Sequence, residues 1–402
     1  MASPGKRILI IIENLPAPFD RRVWQEAVSL KKAGYEITII CPTGKGYEKK
    51  FEVIDDIYIY RHPLPIEAGR TIGYLYEYSF ALFWEFVLSI KVFFGRGFDA
   101  IHACNPPDLL FLVALPYKLL FGKKFVFDHH DINPELYLAK KGRGGVFYKL
   151  LILLEKLTFK VADISIATNE SYKEIALRRG GKKEEDVFVV RSAPVVQNIE
   201  CLIPEKPNIS LKRGKKFMVG YVGVMAKQDG VDYLLKSISY IIHDEKRTDI
   251  LFVLIGNGPE WEELVKYAQK LQLQDYVLFT GRIPDREMIE YISICDVCVN
   301  SDVVNEFNDK STMNKVLEYM VLGKPIVQFD MKEARYSAQD ASLYAKSNDT
   351  KDFAKKILTL LDNEAQRKKM GEIGKERIKK ELSWENSERS LIEAYTHLFT
   401  KR

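Results

Sequence analysis

Lys315 and Glu318 stand three residues apart in Ser311-Thr312-Met313-Asn314-Lys315-Val316-Leu317-Glu318-Tyr319-Met320, so a helix here projects both from one face. Ser311 or Thr312 is expected to cap its start, where free N–H groups and the positive dipole end suit an anion. A cation at that point and a carboxylate one turn on can grip a phosphate and a pair of sugar hydroxyls. A plain i,i+3 surface ion pair explains the same two residues without a ligand. Gly223, Gly256 and Gly258 follow apolar runs and omit a Cβ where a ligand could approach the backbone; ordinary turn chemistry is the alternative. Asp128-His129-His130-Asp131 ends another such run. Side chains alternate faces along a strand, so His130 is expected to reach the site with Asp131 while His129 packs. Arg21 and Arg22 face an anionic acceptor or are simple surface charges.

The elements that must hold these residues read as two series of βα units. Strand-like runs fall at 7–13, 36–42, 57–63, 99–104, 124–130, 162–169 and 187–194. A second series falls at 217–223, 249–256, 276–281, 297–302, 325–330 and 342–347. Continuous Ile, Val and Phe runs predict strands buried on both faces of parallel sheets. The chain is therefore expected to form two doubly wound α/β domains, residues 1–195 and 196–384, joined through a linker over residues 192–216. Ligands of such sheets bind at the carboxyl ends of the strands, which makes a deep cleft between the domains the expected site.

The order and spacing of several pieces resemble the retaining glycosyltransferases of family four, with the GT-B fold. These pieces are Pro16-Ala17-Pro18-Phe19-Asp20-Arg21-Arg22, Asp128-His129-His130-Asp131, Gly256-Asn257-Gly258-Pro259-Glu260, Gly281-Arg282-Ile283 and Glu318-Tyr319-Met320. The resemblance implies two Rossmann-like domains facing a cleft, with a C-terminal helix (residues 385–402) crossing back to the first domain. It also implies transfer from a nucleotide-diphosphate sugar, UDP-linked, to a glycan or lipid-linked acceptor, with no cofactor and no metal. Under it, Arg282 and Ile283 lie where the base is held, Glu318 takes the ribose hydroxyls, and His130 and Asp131 sit beside sugar or acceptor. Lys315 ahead of Glu-Tyr-Met resembles a bacterial branch that builds surface polysaccharides. Three positions depart from the pattern. The first acid of the family's glutamate pair falls on Lys310, and the usual phosphate-binding Arg and Lys fall on Val224 and Asp229. The charge a diphosphate needs is then expected from Lys315, Lys310 and Lys227, with Asn314 at the helix start.

Composition narrows the field. The chain has 402 residues, 47% hydrophobic, with a net charge of +5, too slight and dispersed an excess to imply nucleic acid. Five scattered cysteines suit a reducing compartment, so a cytoplasmic protein is expected. Cys295 and Cys298 have a metal-like spacing but no second ligand pair. Neither Gly44-Lys45-Gly46 nor Gly256-Asn257-Gly258 continues into the dinucleotide fingerprint, which argues against a dehydrogenase. A nucleotide-sugar epimerase or hydrolase, or a non-catalytic sugar-nucleotide module, remain as alternatives. Residues 80–94 and 146–161 are unusually apolar; they pack against the sheet, or rest on an anionic membrane surface beside their lysines.

Overall fold

The computed structural model describes residues 5–64 and 71–401, residues 71–76 by their helical backbone alone. The apolar runs become strands because Ile, Val and Phe side chains find cover on both faces of each sheet. The chain divides into two units, Met1–Arg191 with Ser387–Arg402, and Ser192–Asn386.

The first unit holds β1 (Arg7–Ile12), β2 (Glu36–Pro42), β3 (Phe51–Ile54), β4 (Ile57–His62), β5 (Ala100–Cys104), β6 (Lys124–His129), β7 (Ile164–Ala167) and β8 (Val187–Val189). Their order is β3-β4-β2-β1-β5-β6-β7-β8, parallel except for β3 against β4. The chain winds outward from β1 through β2 and then returns to β5 on the other side, with Ile8 in register with both Ile37 and Ala100. β3 has no counterpart among the expected strands. It is a four-residue edge strand with Phe51 and Val53 exposed, and its turn uses Asp55 and Asp56 at φ 49° and 54°. A turn without glycine in those left-handed positions carries little sequence signal.

The second unit holds β9 (Phe217–Val222), β10 (Ile250–Ile255), β11 (Val277–Gly281), β12 (Val297–Asn300), β13 (Ile326–Phe329) and β14 (Ser342–Ala345). The order is β11-β10-β9-β12-β13-β14. Alternate residues of β9 feed two cores: Phe217, Val219 and Tyr221 join Phe252, Phe329 and Phe353, while Met218 joins Val253, Ile326 and Tyr319. Cys295 and Cys298 are buried and free; a Cβ on Gly220 would meet the Cys295 sulfur at 2.7 Å. They are packing residues.

The helix Trp384–Thr400 leaves the second unit, and from Ser387 it belongs to the first. There Tyr395 is fully buried, its ring 5.5 Å from that of Tyr35.

Candidate active site

In the second unit the winding reverses between β9 and β12, which pair only through Val297 with Val219 and Cys298 with Gly220. Beyond that point the strands diverge, opening the crevice where such sheets bind ligands. Tyr319 spans the gap: its phenol accepts the Val222 N–H at 2.7 Å and points its own hydrogen toward the Val299 carbonyl at 3.4 Å. Lys315, one turn earlier on the same helix (Asn314–Val321), reaches the same crevice. Its ammonium lies 2.9 Å from Asp302 Oδ1, 3.9 Å from Asp229 Oδ1 and 4.8 Å from the Tyr221 ring centroid. Burial pushes the Asp229 carboxyl up to about 6, against the pull of Lys315, and raises that of Asp302 as well. The cation expected for a diphosphate is thus already opposed by two acids.

The cap differs from expectation. Asn305 caps a short preceding helix, Glu306–Lys310, and the Ser311 hydroxyl donates to the Phe307 carbonyl at 2.7 Å. Ser311 therefore closes that helix. Met313 stands at the cap position of the next helix and has no side-chain acceptor to offer. Asn314 at its start is exposed and Glu318 is half-buried.

The glycines meet one another. A Cβ on Gly256 (φ 131°) would stand 1.9 Å from the Gly223 carbonyl oxygen, and one on Gly258 would stand 2.6 Å from the Met225 backbone. The two loops are tied by Met225 N–H to Asn257 O at 3.1 Å and Glu260 N–H to Met225 O at 2.9 Å. The expected room for a ligand is, at Gly256 and Gly258, filled by the neighbouring loop. Gly223 remains beside Lys315, 3.2 Å from a Cβ built there to Nζ.

The other candidates scatter. Lys227 and Arg282 are exposed, while Ile283 packs into the apolar cluster around Ile289 and Ile292. Lys310 lies 3.9 Å from Glu306. Asp309, the acid beside it, accepts the Lys332 N–H at 2.8 Å and so holds the start of another helix.

In the first unit the reversal falls between β1 and β5, and a buried polar cluster sits at the carboxyl ends of β5 and β6 with the helix Arg21–Lys32. Asp128 is its hub. Oδ1 accepts from Arg22 at 2.9 Å; Oδ2 lies 2.5 Å from His130 Nε2 and 3.3 Å from His102 Nε2. The Tyr395 hydroxyl is 2.7 Å from His102 Nδ1, an arrangement satisfied when Tyr395 donates to that nitrogen and the His102 Nε2 proton points at Asp128; His130 Nε2 faces both Asp128 and the Arg22 Nε–H, which lies 2.9 Å away. Burial alone would raise the Asp128 carboxyl; Arg22 and His130 outweigh it and hold it well below the usual range. Glu26, fully buried, is pushed up by burial despite Arg22 at 3.0 Å. Arg22 is therefore neither a surface charge nor a group waiting for an acceptor, as its guanidinium is engaged by Asp128, the Val190 carbonyl and His130 Nε2. Arg21 is exposed. His129 is buried among Phe127, Phe159 and Tyr172 with Glu155 at 3.3 Å, whereas the His130 side chain keeps 16% exposure. Asp131 is half-buried, its backbone held by Asn105, and burial raises its carboxyl.

Two sets of residues come within metal-ligating reach of one another among the described residues: His102, Cys104 and Asp128, and Glu26, Asp128 and His130. Both depend on Asp128, whose oxygens are engaged by Arg22 and two imidazoles. Sequence reasoning misses Asp302, Tyr319, Glu26 and Tyr395, and reads His102 only as the start of a strand-end loop, His102 to Asp108, aimed at the expected site. Asp302 alone carries a signal, as an acid closing an apolar strand.

Two family models match: residues 20–192 match "Glycosyltransferase Family 4" and residues 203–377 match "Glycosyl transferases group 1". An uncharacterized glycosyltransferase of Methanocaldococcus jannaschii is 25% identical over 91% of this chain and 90% of its own. The chitobiosyldiphosphodolichol beta-mannosyltransferase of Candida albicans is 21% identical over 86% of this chain and 78% of its own. Among solved structures, Anabaena Alr3699/HepE in complex with UDP-glucose superposes with a TM-score of 0.72 at 13% identity, over 97% of this chain and 99% of that one. These matches do not favour an epimerase, a hydrolase or a non-catalytic module. With a reversal-point crevice in each of its two sheets and matches of one kind along both halves, the chain belongs to the glycosyltransferases of the GT-B fold.

Proposed function

We propose that the chain transfers a sugar from a UDP-sugar to a hydroxyl of a glycan or lipid-linked glycan in surface-polysaccharide synthesis, with retention of configuration and without a metal. The observation that carries the donor side is Lys315 at the crevice of the second sheet, beside a helix start whose cap position lacks a side-chain acceptor. A diphosphate seated there meets N–H groups and an ammonium as the glycosidic bond breaks and charge builds on the leaving oxygen. Glu318, one turn on, takes the ribose hydroxyls. Gly223 lets the Tyr221 hydroxyl and Lys315 Nζ close on its backbone, 2.8 and 3.2 Å from where a Cβ would stand, and the backbone around Arg282 and Ile283 holds the base, with Lys227, Lys310 and Asn314 at the rim.

His130 is the donor-sugar or acceptor contact from the first unit. Its Nε2 is engaged by the Arg22 Nε–H and Asp128 Oδ2, which leaves Nδ1 as the ring atom to offer a ligand. Arg22 bonds both Asp128 and the ring nitrogen and so holds the imidazole in place. UDP in a solved relative of this fold supports the base, and the dolichol-linked compound in a curated relative's name supports a lipid-linked acceptor. The free cysteines support a reducing, cytoplasmic setting.

The test is calorimetric titration of UDP, GDP and dTDP, followed by product analysis with each cognate sugar and a lipid-linked acceptor in chelator. Preference for GDP or dTDP would replace the base. Inverted product would remove retention, and activity restored only by Mn²⁺ or Mg²⁺ would bring in a metal.

A further inference from the structure

The segment Glu77–Gly95 is 19 residues long with a mean hydropathy of 1.4, yet only 22% of its apolar window is buried. Which side is buried is unusual. The stripe turned into the unit is Ala81, Glu85, Ser89 and Val92, while Phe83 and Phe94 are 59% and 80% exposed. Both Glu85 carboxylate oxygens lack a hydrogen-bond partner among the described residues, and burial pushes that carboxyl well above its usual range. In water, an amphipathic helix is expected to turn its polar residues outward. Here Glu85 and Ser89 face the protein, while Phe83, Phe86 and Phe94 face out beside Lys91.

The apolar face continues. The Phe93 ring lies 4.7 Å from that of Phe121, and on the helix Phe111–Phe121 the side chains of Leu119 and Leu120 are 72% and 74% exposed. Lys118 of that helix pairs with Asp163 at 2.8 Å, just past the helix Val146–Val161. The outer face of this last helix mixes apolar and basic residues: Val146, Leu150 and Leu153, with Lys149, Lys156 and Lys160, are all exposed. Its lower end borders a cavity of about 450 Å³ lined by Lys156, Lys160, Arg178, Arg179, Lys182 and Lys183, with Asp186 as the one acid. Arg179 is neutralised by Glu135 and Glu155, and Asp186 by His397 and Lys401. Lys182 bonds only to the carbonyls of Ala162 and Asp163, and burial lowers it to about 8. Lys156, Lys160 and Lys182 have no carboxylate within ion-pair distance among the described residues.

We infer that this face of the first unit docks on an anionic lipid bilayer, the aromatic and leucine side chains entering the headgroup boundary and the lysine cavity receiving a lipid phosphate. Charge chooses the occupant. A second copy packed symmetrically on the same face would bring these lysines against themselves, whereas an anionic bilayer supplies both the apolar depth and the negative charge. The inference stands apart from the identity of the sugar, and binding is read without turnover.

The test is co-sedimentation of the full chain with vesicles of phosphatidylcholine, alone or with one third phosphatidylglycerol, at low and high salt. Binding to the anionic vesicles at low salt, lost at high salt, is expected. Lys156→Gln/Lys160→Gln alters exposed residues and should weaken partitioning about 30-fold, from two basic residues near an anionic surface. Leu119→Ser/Leu120→Ser should weaken it on either vesicle. Equal binding to both vesicle types, or a lysine variant that binds like the parent, would overturn the proposal. So would displacement by inorganic phosphate at constant ionic strength, which would make the cavity a site for a soluble anion.

Discussion

The Lys315 ammonium lies 2.9 Å from Asp302 Oδ1, and the Asp302 side chain is 2% exposed. The lysine therefore has two tasks: to neutralise a buried acid and, in the proposed reaction, to meet a diphosphate. Lys315→Met leaves Asp302 alone in the crevice and should cost about 3 kcal/mol in chemical denaturation. Adding Asp302→Asn should recover most of that stability without recovering UDP affinity by calorimetry. A double variant that binds UDP like the parent would confine Lys315 to the structural task.

Asp229 gives the donor site a pH dependence. Burial pushes its carboxyl up to about 6, and a diphosphate arriving nearby would raise it further by like charge. The bound form then holds more protons than the free form, so UDP affinity should fall as pH rises from 6 to 8. Calorimetry in buffers of different ionisation enthalpy should show proton uptake at pH 7. In Asp229→Asn the affinity should be higher at pH 8 and the pH dependence flatter.

Gly256 and Gly122 separate close approach from backbone handedness. Both have positive φ, 131° and 61°, but a Cβ on Gly122 would meet nothing within 4 Å while one on Gly256 would strike Gly223. Gly122→Ala should cost about 1 kcal/mol for the left-handed conformation alone. Gly256→Ala must also push apart a pair of hydrogen-bonded loops and should cost about 3 kcal/mol. Thermal unfolding of the two variants tests the difference.

Glu13, just past β1, is buried, and burial followed by repulsion from Glu77 raises its carboxyl to about 7. The folded chain then holds a proton that the unfolded chain releases near the ordinary value of 4.5. Stability from this group is complete below that value, is lost as pH rises toward 7, and changes no further above it. Glu13→Gln should gain up to about 3 kcal/mol over the parent at pH 8 and nothing at pH 4. Denaturant titrations at the two pH values measure the gap.

The strands are legible because a parallel sheet needs cover on both faces, and runs such as Ile8 to Ile12 announce that need directly. The edge strand Phe51–Ile54 escapes because an edge can be half exposed and its Asp55-Asp56 turn has no glycine. Lys315 is legible from its place on a helix; its neutralisation by Asp302 and Asp229 is not, since a partner's distance is set by the crevice. Arg22 is misjudged for the same reason. Arg21 and Arg22 look alike in a row of letters, but the helix turns one to solvent and the other onto Asp128, 106 residues away. Ser311 shows a local limit: two helices compete for one hydroxyl, and the earlier one takes it.

The hydroxyl that reaches His102 comes from Tyr395, and Ser387–Arg402 completes a unit that otherwise ends at Arg191. The ribosome must therefore make all of Ser192–Asn386 before the first sheet receives its closing helix. At about 5–20 residues per second, that interval is on the order of tens of seconds. The half that emerges last is the first with all its components. Through the wait, the buried polar cluster around His102 lacks the Tyr395 hydroxyl, and the Tyr35 ring lacks the aromatic side chains that cover it.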